Sequence, residues 1–431
     1  MIACLLLLSS PALPQQDGPE AASGSGRAGP PALVAPLTPT IPRIDRAFTF
    51  EEIALSLSEL AAARPRFARL ASIGTSQGGR EIFVLSLSDH EHGDPGEKPG
   101  IFLAGFGPAQ GVFGAEAILG IARAVLEGDD ETLARRLADT SLYLAPALDP
   151  DVRAGGGGEP EILFDRNFPY GWQPRTVRTG SGAYPLAIPE TLASVQFLDE
   201  RSNLSLVVGF SRRVERSGTP WKGADFPAAD RQVLASLGHA PEAEDDAQLA
   251  TWAELGSPGG GLLDYAFQGL GVYPCAFQYP LEGPQGLESF IARAAQRTEA
   301  LMRALPRLRL ETEGLAELAP GLWQLDVAVK NTGRIPTQSE LGERRHAGAS
   351  FRVSMGGAKL VATAHRSAQG APYLADRLNA DARELAMGQN VLLPGETRFL
   401  RLIVEGAAGS SLEVQGSSER AGRAALSVSL Q

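Results

Sequence analysis

Apolar and polar residues alternate along this chain in two different rhythms. Between Phe48 and Leu305 helical and strand patterns succeed one another. Thr49 stands as a helix N-cap before Phe50-Glu51-Glu52, apolar residues recur through Ile53, Leu55, Leu57 and Leu60, and Pro65 ends the run. Leu70–Ile73 and Ile82–Leu87, joined through the turn Gly78-Gly79, read as a strand hairpin. A polar loop from Asp89 to Pro99 leads to the apolar strand Gly100–Ala104. Helices are predicted over Ala115–Leu126, near Glu131–Leu137, from Pro189 to about Asp199, over Gly259–Gly269 after its glycines and over Leu287–Leu305. Strands are predicted at Ser141–Ala147, Leu204–Phe210 and Val272–Phe277. Strands alternating with helices imply an α/β fold with a largely buried mixed β-sheet flanked by helices. From Leu308 the period becomes two: Leu322–Val329, Ala349–Val353, Phe399–Val404 and Ala424–Leu430 alternate, with turns at Asn331-Thr332-Gly333 and Pro394-Gly395-Glu396. That pattern predicts a smaller all-β, sandwich-like domain over 307–431.

Residues 1–14 form a short apolar stretch ending in small residues, read as a signal peptide and too short to span a bilayer. Residues 15–47 are rich in Pro, Gly and Ala and read as a linker, leaving 48–306 for the α/β domain. The expected location is therefore secreted, periplasmic or cell-envelope, with no transmembrane segment. At 431 residues, 43% hydrophobic and 21% charged, the chain has ample material for more than one core. Its net charge of −11, without a basic run, excludes a nucleic-acid partner. Of the two cysteines, Cys4 lies in the apolar leader, and Cys275 reads as a small buried hydrophobe on a strand.

Chemistry in an open α/β sheet gathers at the carboxyl ends of central strands. The turn Gly105–Glu116 occupies such a place, yet it holds no His, Cys or Ser, and no acid before Glu116. Elsewhere, His90-Glu91-His92 reads as a solvated loop rather than a metal site. Ser76 and Ser211 lie in no nucleophile elbow, and Gly155–Gly158 lacks the Lys-Ser/Thr of a phosphate cradle. Tyr170 and Trp172 read as packing residues.

Several short motifs stand in a specific order. They are Ile73-Gly74-Thr75-Ser76-Gln77-Gly78-Gly79-Arg80, Asp149-Pro150-Asp151, Asp165-Arg166-Asn167-Phe168, Ile188-Pro189-Glu190-Thr191 and Gly259-Gly260-Gly261-Leu262-Leu263-Asp264-Tyr265-Ala266. With the opening helix and Arg64-Pro65, this order resembles the zinc carboxypeptidases of the carboxypeptidase A type. The resemblance implies one zinc ion held by His-x-x-Glu and a distant His, a metal-bound water, a Glu general base, and an Arg and a Tyr that seat the substrate carboxylate and oxyanion. The implied His-x-x-Glu positions fall on Gly107 with Gln110, or Pro108 with Gly111; the second His falls on Phe210; the base falls on Gln278, which cannot take a proton at neutral pH. The Tyr expected before Gly259 is replaced by Leu255 and Gly256. The chain has five His, and none lies in a His-x-x-Glu or Glu-x-x-His.

The resemblance therefore implies a degenerate member with no catalytic residue, no metal ligand and no cofactor. The substrate-binding candidates are Arg166, Asp165, Asn167 and Gln278. Arg166 has two readings, a bidentate anchor for a peptide carboxylate or a structural ion pair with Asp165 or another acid. Gln278 likewise either meets a ligand or is a buried polar group satisfied by backbone. Three functions are expected to compete: an exported non-catalytic module binding a peptide or protein terminus, an active metallocarboxypeptidase with an altered metal site, and a structural cell-envelope protein.

Overall fold

Thr49 does cap the first helix, α1 (Phe50–Ala63): its side chain accepts from the Glu52 N–H and Glu52 reaches back to the Thr49 N–H, a reciprocal capping box. In the computed structural model the described residues are 44–105, 113–155, 162–212, 216–219, 227–238, 250–251, 260–279, 286–345, 351–375, 384–386 and 391–431. The apolar leader and nearly all of the linker lie outside them.

After α1 come β1 (Ala68–Thr75), β2 (Glu81–Leu87), β3 (Gly100–Gly105), α2 (Gly114–Val125), α3 (Asp130–Leu137), β4 (Ser141–Ala145), α4 (Pro150–Arg153) and α5 (Pro189–Asp199). Then follow β5 (Leu204–Arg212), β6 (Arg216–Thr219), α6 (Ala228–Gly238), β7 (Ala250–Thr251), α7 (Leu262–Gln268), β8 (Tyr273–Tyr279) and α8 (Gly286–Ala304). The strands form one mixed sheet in the order β1-β2-β4-β3-β5-β8-β6-β7. Its centre, β4, β3, β5 and β8, is parallel, and antiparallel strands flank it. Every residue of β3 is buried. Ile101 and Leu103 face one core, with α1, α2 and α8, while Phe102 and Ala104 face another, with α5 and α7. That two-faced burial is why β3 reads as a continuous apolar run rather than an alternating one.

The C-terminal region is all-β apart from one short helix among the described residues. It comprises β9 (Leu308–Ala319), β10 (Leu322–Asn331), α9 (Glu340–Arg344), β11 (Phe351–Gly356), β12 (Lys359–Arg366), β13 (Leu374–Ala375), β14 (Glu384–Ala386), β15 (Thr397–Glu405), β16 (Ser411–Ser418) and β17 (Gly422–Ser429). Two antiparallel sheets, β13-β12-β15-β10-β9 and β14-β11-β16-β17, enclose a core of Trp323, Leu325, Val327, Leu400, Leu402, Leu412 and Val414. Strand β9 escapes a period-two reading because its side chains beyond Leu310 are mostly exposed. The segment β6–α6–β7 carries no strong apolar period either.

The seam between the two regions is polar. Buried Arg420, in the β16–β17 turn, donates to the carbonyls of Gly271 (2.9 Å) and Leu270 (2.6 Å), and Ser205 Oγ donates to the Arg420 carbonyl. Asp230 of α6 accepts from Tyr273 Oη (2.8 Å) and from the N–H groups of Glu340 (2.8 Å) and Leu341 (3.0 Å), so a carboxylate of one region caps the helix of the other. Burial raises the Asp230 carboxyl above the ordinary range.

Candidate functional site

The carboxyl ends of β3, β5 and β8 lie side by side. Register pairs Gly105 with Phe210, Phe210 with Phe277, and Ser211 with Gln278. Strand β3 is also where the connections diverge: its helix α2 leads to β4 on one side, and β5 lies on the other, the arrangement that opens a crevice in α/β sheets. Gly105 is required by close approach, since a Cβ there would stand 2.5 Å from the Pro146 carbonyl oxygen and 2.8 Å from the Ala115 nitrogen. Phe210 is fully buried, and its ring lies 5.8 Å from that of Phe277. The two rings put hydrocarbon at these strand ends.

Gly107, Pro108, Gln110 and Gly111 lie outside the described residues; by residue type they offer no imidazole and no carboxylate. Gln278 sits on β8 as expected, but its side chain is outside the described ones. Among the described residues, no group of three or more His, Cys, Asp or Glu side chains is placed to hold a metal ion. A zinc ion of the kind the resemblance implies does not fit this set: the position the resemblance assigns to the distant His carries a phenyl ring packed on another.

The Asp165-Arg166-Asn167 turn separates three roles. Asp165 is buried and accepts from the Leu262 N–H (2.8 Å) at the start of α7. A Cβ on Gly261 would stand 2.6 Å from its carboxylate, so the glycines before α7 admit this contact. Asn167 is fully buried; its amide donates to the carbonyls of Leu163 (2.7 Å) and Gly180 (3.4 Å), and its oxygen accepts from the Gly182 N–H (2.5 Å). Asp165 and Asn167 thus bond to backbone and shape the loop. Arg166 is half-buried, donates through Nη1 to the Thr179 carbonyl, and makes no ion pair among the described residues. Asp264 lies behind this turn. Burial pushes its carboxyl up to about 7, and the neighbouring Asp165 charge acts in the same direction.

A second acidic group, Asp149-Pro150-Asp151 with Glu190, binds the β1–β2 turn. Asp151 accepts from Ser76 Oγ (2.8 Å), the Gly78 N–H (2.6 Å) and Arg80 Nη1 (2.8 Å), and Glu190 accepts from the Gln77 N–H (2.8 Å). Ser76 therefore serves as a turn residue. Burial pushes Asp149 up to about 6, with Glu190 and Asp151 adding to the effect. On the other side of β3, Glu116 and Arg153 form a buried ion pair, and both reach the Phe48 backbone. His90 departs from the solvated-loop expectation, because both its ring nitrogens are buried without a partner and burial lowers its pKa. The loop folds back instead: Asp89 is buried against Arg66, and buried Lys98 donates to Ser88 Oγ and the Asp89 carbonyl. Cys275 is buried as expected, its thiol pushed up to about 12 by burial.

The zinc carboxypeptidase family profile matches residues 53–153, the span from α1 through β3 and β4 to α4. Over that stretch the chain is similar to the zinc carboxypeptidases. A family described only as a domain of unknown function matches 307–429. Human carboxypeptidase N catalytic chain is 26% identical over 142 residues, which is 31% of this chain and 30% of that protein's length. Carboxypeptidase A from Helicoverpa armigera superposes with a TM-score of 0.47 at 17% identity, covering 60% of this chain and 72% of that one. Bovine thrombin-activatable fibrinolysis inhibitor, in complex with tick carboxypeptidase inhibitor, gives 0.46 at 16% identity, covering 60% and 95%. No helix among the described residues is long and apolar enough to cross a membrane.

Sequence reasoning passed over Arg178, for which the available signal was the repetition of arginine within one polar loop. Asp149, Glu190 and Asp264 were legible as members of short motifs but not as buried carboxyls, because burial is set by the fold.

Proposed function

We propose that this is a non-hydrolytic carboxypeptidase-fold protein whose crevice holds the C-terminus of a peptide or protein on Arg166. The observation that carries the reading is Phe210. It occupies the strand end where a zinc-binding His would stand, and it is sealed against Phe277 across the strand register. Burying an apolar ring there removes a ligand without leaving an unsatisfied charge, which would cost several kcal/mol, on the order of 3–5. Arg166, in contrast, keeps a partly exposed guanidinium on a loop held by Asp165 and Asn167. An exported location belongs to the same proposal, on the apolar character of residues 1–14.

Zinc titration by isothermal calorimetry, together with peptide binding, tests the reading. Expected outcomes are no stoichiometric zinc binding, binding of free-acid but not C-terminally amidated peptides, loss of that binding in Arg166→Ala, and no released amino acid. Tight stoichiometric zinc, with chelator-sensitive release of C-terminal residues, would establish an active hydrolase instead.

A further inference from the structure

The α/β region and the β region also meet away from Arg420, and there the junction encloses a cleft of about 280 Å³. One wall is the loop between β2 and β3, with the two residues after α3; the other is the start of β9 and the β16–β17 turn. The cleft lies where the parallel strands β3, β4 and β5 begin, at the opposite edge of the sheet from the crevice. Both walls are held in place. Asn203 Nδ2 donates to the carbonyls of Lys98 (2.7 Å) and Pro95 (3.1 Å), and Ser141 Oγ donates to the Pro95 carbonyl (2.7 Å). Opposite them, the Leu308 N–H donates to the Ala421 carbonyl (3.3 Å). The walls approach closely at Gly422, where φ is +76° and a Cβ would stand 3.2 Å from Pro99 Cδ. Glu97 and Arg423 pair from one wall to the other.

The lining carries both signs of charge. Asp94, Glu97 and Asp139 balance Lys98, Arg307 and Arg423, with His92 beside them. Apart from Glu97 and Arg423, these charges are not paired with one another. Buried Lys98 donates to Ser88 Oγ (3.0 Å) and to the carbonyls of Asp89 (2.7 Å) and Leu137 (3.4 Å). Asp94 and Asp139 lie near enough to act on its charge, yet both are exposed and neither forms an ion pair among the described residues. Asp94 accepts from the Gly96 N–H (2.9 Å). Arg307 donates to the carbonyls of Met302 (3.1 Å) and Arg303 (3.4 Å) at the end of α8, and it too pairs with no acid among the described residues. The rest of the lining is largely apolar, with Pro99, Leu308 and Ala421 buried.

A pre-formed cleft at a junction between regions, part apolar and supplied with unpaired charges of both signs, suits a small molecule that carries both charges itself. From this arrangement we propose that the cleft binds a free α-amino acid with an aliphatic side chain. Its ammonium sits on Asp139 and Asp94, its carboxylate on Arg307, and its side chain against Pro99, Leu308 and Ala421. The size agrees with the class, because pockets for larger, drug-sized ligands run from about 300 to 1,000 Å³. The site shares no residue with the crevice and does not rest on the peptide-binding reading.

Isothermal calorimetry on the full chain tests this with leucine, leucinamide, which lacks the carboxylate, and N-acetylleucine, which lacks the ammonium. Leucine is expected to bind with a Kd below about 1 mM, and each analogue at least about ten-fold more weakly. Asp139→Asn should weaken leucine and bring it level with N-acetylleucine, while Arg307→Gln should bring it level with leucinamide. Thermal melting of both variants controls for loss of fold, and exposed Asp139 can change to Asn without disturbing a buried contact. No binding of leucine at about 10 mM, or leucinamide bound as tightly as leucine, overturns the proposal. So does leucine binding that is unchanged in both variants, or that is lost in Arg166→Ala, since the amino acid would then sit elsewhere.

Discussion

The buried pair Glu116–Arg153 offers the sharpest quantitative test of how this domain is held together. Glu116 lies in the first turn of α2, after the turn at the end of β3. Its side chain is wholly buried and that of Arg153 is 8% exposed. One carboxylate oxygen accepts from the Phe48 N–H (2.7 Å) and from Arg153, whose Nε donates to the Phe48 carbonyl (2.7 Å). The pair therefore staples the entry to α1 onto α2 and α4. Arg153→Met strands a carboxylate in the core with a single remaining donor, and should cost about 3–5 kcal/mol. Glu116→Leu strands the guanidinium and should cost about as much. The double variant removes both charges and leaves only the two Phe48 backbone groups unpaired, at about 1–3 kcal/mol each. Its total should therefore fall short of the summed single costs by at least about 2 kcal/mol. Guanidinium-induced unfolding of the full chain at pH 7, followed by circular dichroism, measures all four corners. Single effects that add to within about 0.5 kcal/mol would refute the idea that the two charges depend on one another. Such a result would free Glu116 for a role at the crevice.

Two further outcomes follow from buried carboxyls. The Asp264 carboxyl, raised to about 7 from its ordinary 3.8, binds its proton more tightly folded than unfolded. Its contribution to stability is thus complete below about pH 4 and lost as pH rises through 7, and Asp264→Asn should flatten the unfolding free energy between pH 5 and 8. Asp230→Ala deprives Tyr273 Oη and the Glu340 and Leu341 N–H groups of their acceptor, so it should destabilise the full chain by roughly 3–5 kcal/mol. It should also make α9 the first site cut in limited proteolysis; an unchanged cleavage pattern would show that the seam does not depend on this contact.

Much of the fold was legible because local signals and burial agreed. The Thr49 capping box, the run Gly100–Ala104 buried on both faces, and the alternation of Trp323, Leu325, Val327 and Val329 each announce one element in a window of ten residues or fewer. Signals failed where long-range contacts decide. The loop Asp89–Pro99 is polar in composition, yet it folds back so that Asp89 and Lys98 are buried, each with partners far along the chain or across a turn. Composition reports how polar a segment is; only the fold reports whether water or protein answers its polar groups.

The same distinction governs the site. On the resemblance, replacing a ligand is visible in the sequence as a residue type, Phe210 where an imidazole is expected. Whether the vacated place becomes a pocket or a plug depends on what stands opposite, and opposite Phe210 stands Phe277. A charged or polar substitute at that strand end would have needed a partner inside the sheet, at a cost of several kcal/mol, on the order of 1–3 for a neutral group and more for an ion. Hydrocarbon needs none. The strand end that the resemblance assigns to a metal ligand can therefore hold a ring at little cost to stability. The neighbouring loop, whose shape comes from Asp165 and Asn167 bonding to backbone, keeps Arg166 in position independently of any metal. On the proposed reading, binding and hydrolysis are separable because different backbone segments support them.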